Sequence, residues 1–230
     1  MARKVIFGDC FEVLDTIESN SVDLVLTDPP YGVTEEEWDR VDIIPYTTKW
    51  LIKVYDKVKE GRYILIFWSV KYMKQFYNVV DLIRGVVVDC RMYYPIIWHH
   101  RNTMFAIPKF MRNYTYTPIF VLSKGSGFIL EKQLENRPFS VCDTVLEYSA
   151  VCHEKLHVCQ KPVDLLKELI NRFSFEGETV LDPFAGSGST GVACIKTGRD
   201  YILIEKNMEY YNVILKRLEK VNGNGDLAVF

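Results

Sequence analysis

Glu178–Asn207, ETVLDPFAGSGSTGVACIKTGRDYILIEKN, decides the architecture of this 230-residue chain. The apolar run Thr179 to Leu181 meets a Gly-rich turn carrying Gly186, Gly188 and Gly191, and a segment with helical spacing, Thr190 to Lys196, leaves through Gly198. A second apolar run, Tyr201 to Ile204, ends on Glu205. Tight strand-to-helix turns collect glycine on their own account, but the order of strand, loop, helix, strand and acid describes a cofactor crevice. Glycines let the backbone approach a ligand, the helix N-terminus favours an anionic group, and an acid about 20 residues after the loop is placed for a ribose diol. No Lys-Ser/Thr follows the glycines, which argues against a nucleoside triphosphate. Asp182, which opens the loop, would repel a pyrophosphate and attract the amino or sulfonium group of an amino-acid-bearing nucleoside, the chemistry of S-adenosylmethionine.

Outward from this unit, further short apolar runs read as strands: Lys4 to Phe7, Val22 to Thr27, Arg62 to Trp68, Val86 to Trp98 with a bend near Tyr94-Pro95, and Tyr116 to Leu122. Helical spacing covers Thr48 to Val58, Lys71 to Ile83, Pro162 to Phe173, with Pro162 suited to a first turn, and Met208 to Val221. Alternating strands and helices predict a mostly parallel α/β sheet. The tail with Asn222-Gly223-Asn224-Gly225 reads as frayed. A second pointed feature is VDLVLTDPPYG, Val22 to Gly32. Pro29 and Pro30 have no N–H and must end the ladder, so Asp28 stands at a strand's carboxyl end, where open α/β sheets face their ligands.

Composition, 48% hydrophobic and 25% charged, is that of one ordinary globular domain. The first residues lack a signal-peptide apolar region and no uncharged membrane-length run occurs, so the expectation is an intracellular, cytoplasmic protein without membrane contact. Cys10, Cys90, Cys142, Cys152, Cys159 and Cys194 form no CxxC pair and point to reduced thiols. Net charge is −2, yet residues 1 to 60 hold seven Lys or Arg against thirteen Asp or Glu, while residues 91 to 137 hold seven against two. The middle of the chain is its basic face. The group Cys152, His153, His157 and Cys159 has no ordinary structural-zinc spacing, and no metal is expected. His99 and His100 are expected at a strand end rather than in acid–base work, and Trp38 among Glu35 to Asp39 reads as loop cover or a substrate lid.

With DPPY at Asp28 to Tyr31 and DPFAGSGST at Asp182 to Thr190, the chain resembles the S-adenosylmethionine-dependent amino-methyltransferases that methylate exocyclic base nitrogens in DNA. The motif order, with GDC at Gly8 to Cys10 and TDPPYG ahead of HVCQKP at His157 to Pro162 and the cofactor loop, is similar to their β group. The likeness spans nearly the whole chain, including the weaker matches ILIFWS, Ile64 to Ser69, and YTPIFVLSKG, Tyr116 to Gly125. It implies a Rossmann-like seven-stranded mixed sheet in permuted motif order and one methyltransferase domain over residues 1–230, with a short target-recognition insert around 123–152.

Carried onto this chain, the resemblance implies that Asp182, Phe184 and Ala185, Gly186, Ser187, Gly188, Ser189 and Thr190 hold the methionine and ribose parts of the cofactor. Glu205 takes the ribose hydroxyls, Asp9 and Cys10 border the adenine ring, and Lys161 contributes to the methionine pocket, although Val158 and Cys159 depart from the usual His-Pro-Thr pattern. Asp28, also in the cofactor set, and the Pro29 carbonyl would each accept one N–H of the target amine; Pro30 would keep them rigid, and Tyr31 would offer a ring to a flipped base. An Asp rather than a Ser at position 28 favours adenine N6. The alternatives are an RNA adenine methyltransferase, a DNA cytosine-N4 methyltransferase and a non-catalytic cofactor-binding partner subunit. Arg101, Lys109, Arg112, Lys124, Lys132 and Arg137 are the expected DNA contacts, and the small insert points to a short or relaxed target, with a homodimer or a second recognition subunit as partner.

Overall fold

In the computed structural model, residues 3–31, 41–101, 115–127, 144–151 and 160–223, together with the backbone of 228–229, are described. The strands are β1 (Arg3–Phe7), β2 (Val22–Thr27), β3 (Val58–Phe67), β4 (Cys90–Met92), β5 (Ile96–His100), β6 (Tyr116–Lys124), β7 (Val145–Tyr148), β8 (Thr179–Asp182), β9 (Asp200–Glu205) and β10 (Ala228–Val229). The helices are α1 (Cys10–Thr16), α2 (Ile43–Lys57), α3 (Met73–Arg84), α4 (Val163–Phe173), α5 (Ser189–Lys196) and α6 (Met208–Asn222). One sheet runs in the order β10-β1-β9-β8-β2-β3-β6-β5-β7, with β4 also paired to β6.

From β10 to β3 every pairing is parallel. β6 is antiparallel to β3, β4 and β5, and β7 returns parallel to β5. The mixed α/β sheet is thus the expected one, but ten strands among the described residues replace the expected seven. The additions are short. The run from Val86 to Trp98 is two strands rather than one, because Val86 to Asp89 form a turn in which Asp89 takes φ 60° and Val88 is left 83% exposed. The tail is not simply frayed, since Ala228–Val229 adds a parallel edge to β1. β7 and α1 were not expected. α2 begins earlier than Thr48, and Pro162 stands just outside α4, in extended conformation, rather than in its first turn.

Side-chain alternation along the strands divides the core. On β3, Tyr63, Leu65 and Phe67 face one layer, with Leu165, Leu169, Val192 and Ile214 of α4, α5 and α6, while Ile64, Ile66 and Trp68 face the other, with Leu14, Trp50, Val54, Phe76 and Val80 of α1, α2 and α3. The central strands are buried on both faces, so β2 reads as the apolar run Val22, Leu24, Val25, Leu26, interrupted only by Asp23, which is buried against Lys59 and the Thr179 amide. The chain leaves β8 through α5 for β9 on one side, and β2 through α2 for β3 on the other. The boundary between β8 and β2 is therefore the topological switch point, where the carboxyl ends of parallel strands open a crevice.

Candidate active site

Four parallel strands deliver their last residues to that crevice: β1 leads to Asp9, β2 to Asp28, β8 ends on Asp182 and β9 on Glu205. The outer compartment, about 730 Å³, is lined by Asp9, Cys10, Asp28, Tyr31, Tyr46, Phe184, Ile204 and Glu205, among others. An inner one of about 410 Å³ shares Asp28, Phe184 and Gly186 with it and adds Phe67, Lys161, Asp182, Ser187, Ser189 and Thr190.

The glycine loop is held from three sides. Ala185 N–H donates to the Ile204 carbonyl at 3.0 Å and Gly186 N–H to Glu205 Oε2 at 2.8 Å. Gly188 takes φ 76°, and a Cβ there would lie 3.1 Å from two Ile214 carbons. Gly191, expected in the turn, lies inside α5, where a Cβ would fall 2.6 Å from Leu203 Cδ1; its smallness seats the helix on the sheet. From α6, Arg217 Nη1 donates to the Ser187 carbonyl at 2.9 Å, to Ser187 Oγ at 3.2 Å and to Ser189 Oγ at 3.0 Å.

Each acid is oriented differently. Glu205 accepts Gly186 N–H on one oxygen and Asn207 N–H on the other, both at 2.8 Å, leaving further lone pairs toward the crevice; burial holds its carboxyl above the usual range, opposed by those amides. Asp182 is buried and accepts from Thr27 Oγ1 at 2.8 Å, Thr190 Oγ1 at 2.6 Å and Phe184 N–H at 3.2 Å, and burial pushes its pKa up to about 6 against those three bonds. Asp28 accepts the Tyr31 hydroxyl at 3.0 Å on Oδ1, and its Oδ2 forms an ion pair with Lys161. The Lys161 ammonium also lies 5.1 Å from the Phe67 ring centre.

Asp9 caps α1 by accepting Phe11 N–H at 2.8 Å, which leaves the capped helix start at the crevice wall. Cys10 is buried and its thiol is pushed up to about 12 by burial and then by Asp9. Phe184 packs edge-on against Trp50 at 5.4 Å and tilted against Tyr46 at 6.3 Å, and Tyr31 leans on Trp68 at 5.4 Å. The expected catalytic and cofactor residues thus line one crevice, except Gly188, which sits within the same loop without lining it. Thr27, Tyr46, Asn207 and Arg217 join them without having been singled out. Thr27 and Arg217 touch the site only through the fold, 155 residues from Asp182 and 30 from Ser187 respectively.

Of the six expected DNA contacts, the two that are described lie at opposite ends of the sheet. Arg101 follows β5 beyond the carboxyl-end edge of β3 and pairs with Glu147 at 3.2 Å. Lys124 ends β6 at the opposite edge of the sheet, because β6 runs antiparallel to β3; it donates to Asn20 Oδ1 at 2.7 Å and to the Tyr55 carbonyl at 3.2 Å. Lys109, Arg112, Lys132, Arg137, Trp38 and the group Cys152, His153, His157 and Cys159 lie outside the described residues. His99 and His100 close β5, as expected. His100 Nε2 shares a hydrogen bond with Thr117 Oγ1 at 2.9 Å, and burial, then Lys161, then His99 hold its pKa below the usual imidazole range. Cys10, Cys90 and Cys194 are buried free thiols. Among the described residues no helix is long and apolar enough to cross a membrane.

The chain is 30% identical over 254 residues to the DNA adenine methyltransferase YhdJ of Escherichia coli, spanning 95% of this chain and 83% of that protein. It is 28% identical over 241 residues to the type II methyltransferase M.HpaI of Haemophilus parainfluenzae, spanning 95% and 75% respectively. The fold matches that of the Thermus thermophilus protein TTHA0409, solved with S-adenosyl-L-methionine, at TM-score 0.75 and 22% identity over the full length of both chains. It also matches the cytosine-N4-specific PvuII DNA methyltransferase at TM-score 0.76 and 18% identity, covering 97% of this chain and 91% of that one. Residues 22–216, which carry Asp28, the glycine loop and Glu205, match the N6/N4 DNA methylase family, and the chain belongs to it.

Proposed function

We propose that the protein transfers a methyl group from S-adenosylmethionine to the exocyclic N6 of adenine in DNA, with residues 1–230 forming one catalytic domain. The observation that carries this reading is the placement of Asp28, on a turn stiffened by Pro29 and Pro30, where the two compartments of the crevice join. The crevice fits the cofactor. Cys10, Tyr46, Phe184 and Ile204 offer an apolar wall to a purine, Glu205 has acceptor sites for a diol, and Asp182 with the loop and the start of α5 lines the inner end for an amino-acid group.

When bound, S-adenosylmethionine supplies a methyl group activated by its sulfonium. The chain supplies orientation. An adenine amine is a poor nucleophile because its lone pair is delocalised into the ring, so acceptors must favour the geometry of attack. Asp28 and the Pro29 carbonyl accept its two N–H groups and turn the lone pair toward the methyl carbon. The Tyr31 phenol fixes the Asp28 carboxylate. The base must leave the duplex to reach this turn, and Tyr31 forms part of the wall it meets. The acid at position 28, together with the adenine methyltransferase named among the relatives, supports adenine over cytosine. Residues 123–152 act as a short recognition insert, assisted by a second subunit or a second copy of the chain, and the enzyme works on cytoplasmic DNA.

The test is incubation with methyl-labelled cofactor and either DNA or RNA, followed by nucleoside analysis. N6-methyladenine in DNA, lost in Asp28→Ala with cofactor binding retained, is expected. Label in cytosine, in RNA only, or undiminished in the variant would refute the reading.

A further inference from the structure

Asp28 is not an open acceptor. One carboxylate oxygen takes the Tyr31 hydroxyl at 3.0 Å and the other is held by the Lys161 ammonium, with the Asp28 and Lys161 side chains only 16% and 12% exposed. A target amine approaching this carboxylate meets a neutralised charge and a bulky ammonium. Lys161 can leave. It stands immediately before Pro162, which adjoins α4, so its backbone is anchored while its four-carbon stem carries a compact charge that swings.

The inner compartment gives that ammonium a second destination. Its described lining includes two acids, Asp28 and Asp182, while Lys161 is its one lysine or arginine. A carboxylate entering this compartment would be repelled by both acids, and Lys161 is the lining side chain that offsets them.

We propose that Lys161 is a cofactor-sensing lock on Asp28. The side chain neutralises the catalytic carboxylate in the empty chain and moves to the carboxylate of the cofactor's amino-acid part, so that Asp28 becomes a full acceptor only in the loaded crevice. The inference rests on the proposed function. It implies ordered binding, with productive capture of the flipped base following the cofactor.

The lock has an unusual consequence for affinity. If Asp28 competes with the ligand for Lys161, neutralising Asp28 should tighten binding of S-adenosylhomocysteine, which keeps the amino-acid carboxylate. Calorimetry is expected to show its Kd falling about tenfold in Asp28→Asn, the scale of one charge-assisted hydrogen bond. The gain should vanish when Lys161→Met is the background, and 5′-methylthioadenosine, which lacks the carboxylate, should show no gain in either. Asp28→Ser, measured in the same way and checked by thermal melting, gives a second removal of the charge. Unchanged or weaker binding in both Asp28 variants would overturn the lock. A gain that persists in Lys161→Met would overturn it too, by showing that Asp28 repels the ligand directly. Failure of the wild-type chain to bind S-adenosylhomocysteine at all would refute the proposed function itself, and the lock with it.

Discussion

Glu205 offers the sharpest test of the cofactor assignment, because in the proposed complex its carboxylate serves ligand and loop together. In Glu205→Ala the amides of Gly186 and Asn207, each 2.8 Å from a carboxylate oxygen, lose their acceptor, and the ligand diol loses its own. The diol contact is charge-assisted and contributes about 1.5–3 kcal/mol; re-solvating two amides at an open crevice wall and loosening Gly186 add about 1 kcal/mol. Together these predict a rise in the Kd for S-adenosylhomocysteine of roughly 50- to 1,000-fold. Glu205→Gln should fall nearly as far, since its NH₂ group must face an amide donor or a hydroxyl that was donating. Calorimetry measures the affinity and thermal melting controls for the fold. A Kd within about threefold of wild type for either variant, with unaltered melting, would mean that the diol lies elsewhere.

Asp182 makes stability depend on pH. Its folded pKa, about 6, lies above the ordinary carboxyl value of about 3.9, so the folded chain keeps a proton that the unfolded chain has released; that stabilisation is complete below about pH 4 and lost as pH rises through 6. Denaturant melts should show up to about 3 kcal/mol of loss across this window, absent in Asp182→Asn. Arg217→Met removes the three hydrogen bonds that Nη1 makes with Ser187 and Ser189 and should weaken cofactor binding by about tenfold; Arg217→Lys should rescue it only partly, because an ammonium on a flexible stem is less firmly aimed than a planar guanidinium. DNA binding titrated against salt should weaken, with a shallower slope, in Arg101→Glu and stay unchanged in Lys124→Glu, since the two residues lie at opposite edges of the sheet. An effect of Lys124→Glu matching that of Arg101→Glu would move the DNA face.

The central strands were legible because burial on both faces writes them as nearly continuous apolar runs, and β2 matches its run from Val22 to Thr27 despite the buried Asp23. What escaped was decided by tertiary context. Val86 to Val88 have the β-branched character of a strand, yet the exit of α3 at Gly85 and the left-handed Asp89 turn Val86 and Val88 outward, and only Val87 packs against the core. β7 is only four residues long and exists because β5 offers an edge to it, and β10 owes its place to β1 in the same way. α1 did carry a signal, the Asp9 cap before Cys10–Thr16, but with seven residues its periodicity is too short to announce a helix.

Within the candidate site, the acids and glycines that line the crevice were readable and the residues that hold them were not. Acids and glycines at strand ends have fixed meaning in an open α/β sheet, whereas Thr27 and Arg217 look like any strand threonine and helix arginine until the chain folds. Their importance follows from an electrostatic problem the motifs themselves create. Four carboxylates, Asp28, Asp182, Glu205 and Asp9, converge on one crevice, and each is held by its own partners: an ammonium for Asp28, two hydroxyls and an amide for Asp182, two backbone amides for Glu205, and the Phe11 amide for Asp9. Only the first brings a full positive charge, so the crevice stays acidic overall, which disfavours a phosphate and favours a cationic sulfonium. The same asymmetry makes Asp28 the one acid whose charge can be switched by moving a single side chain. In the proposed reaction it is also the acid that meets the target amine.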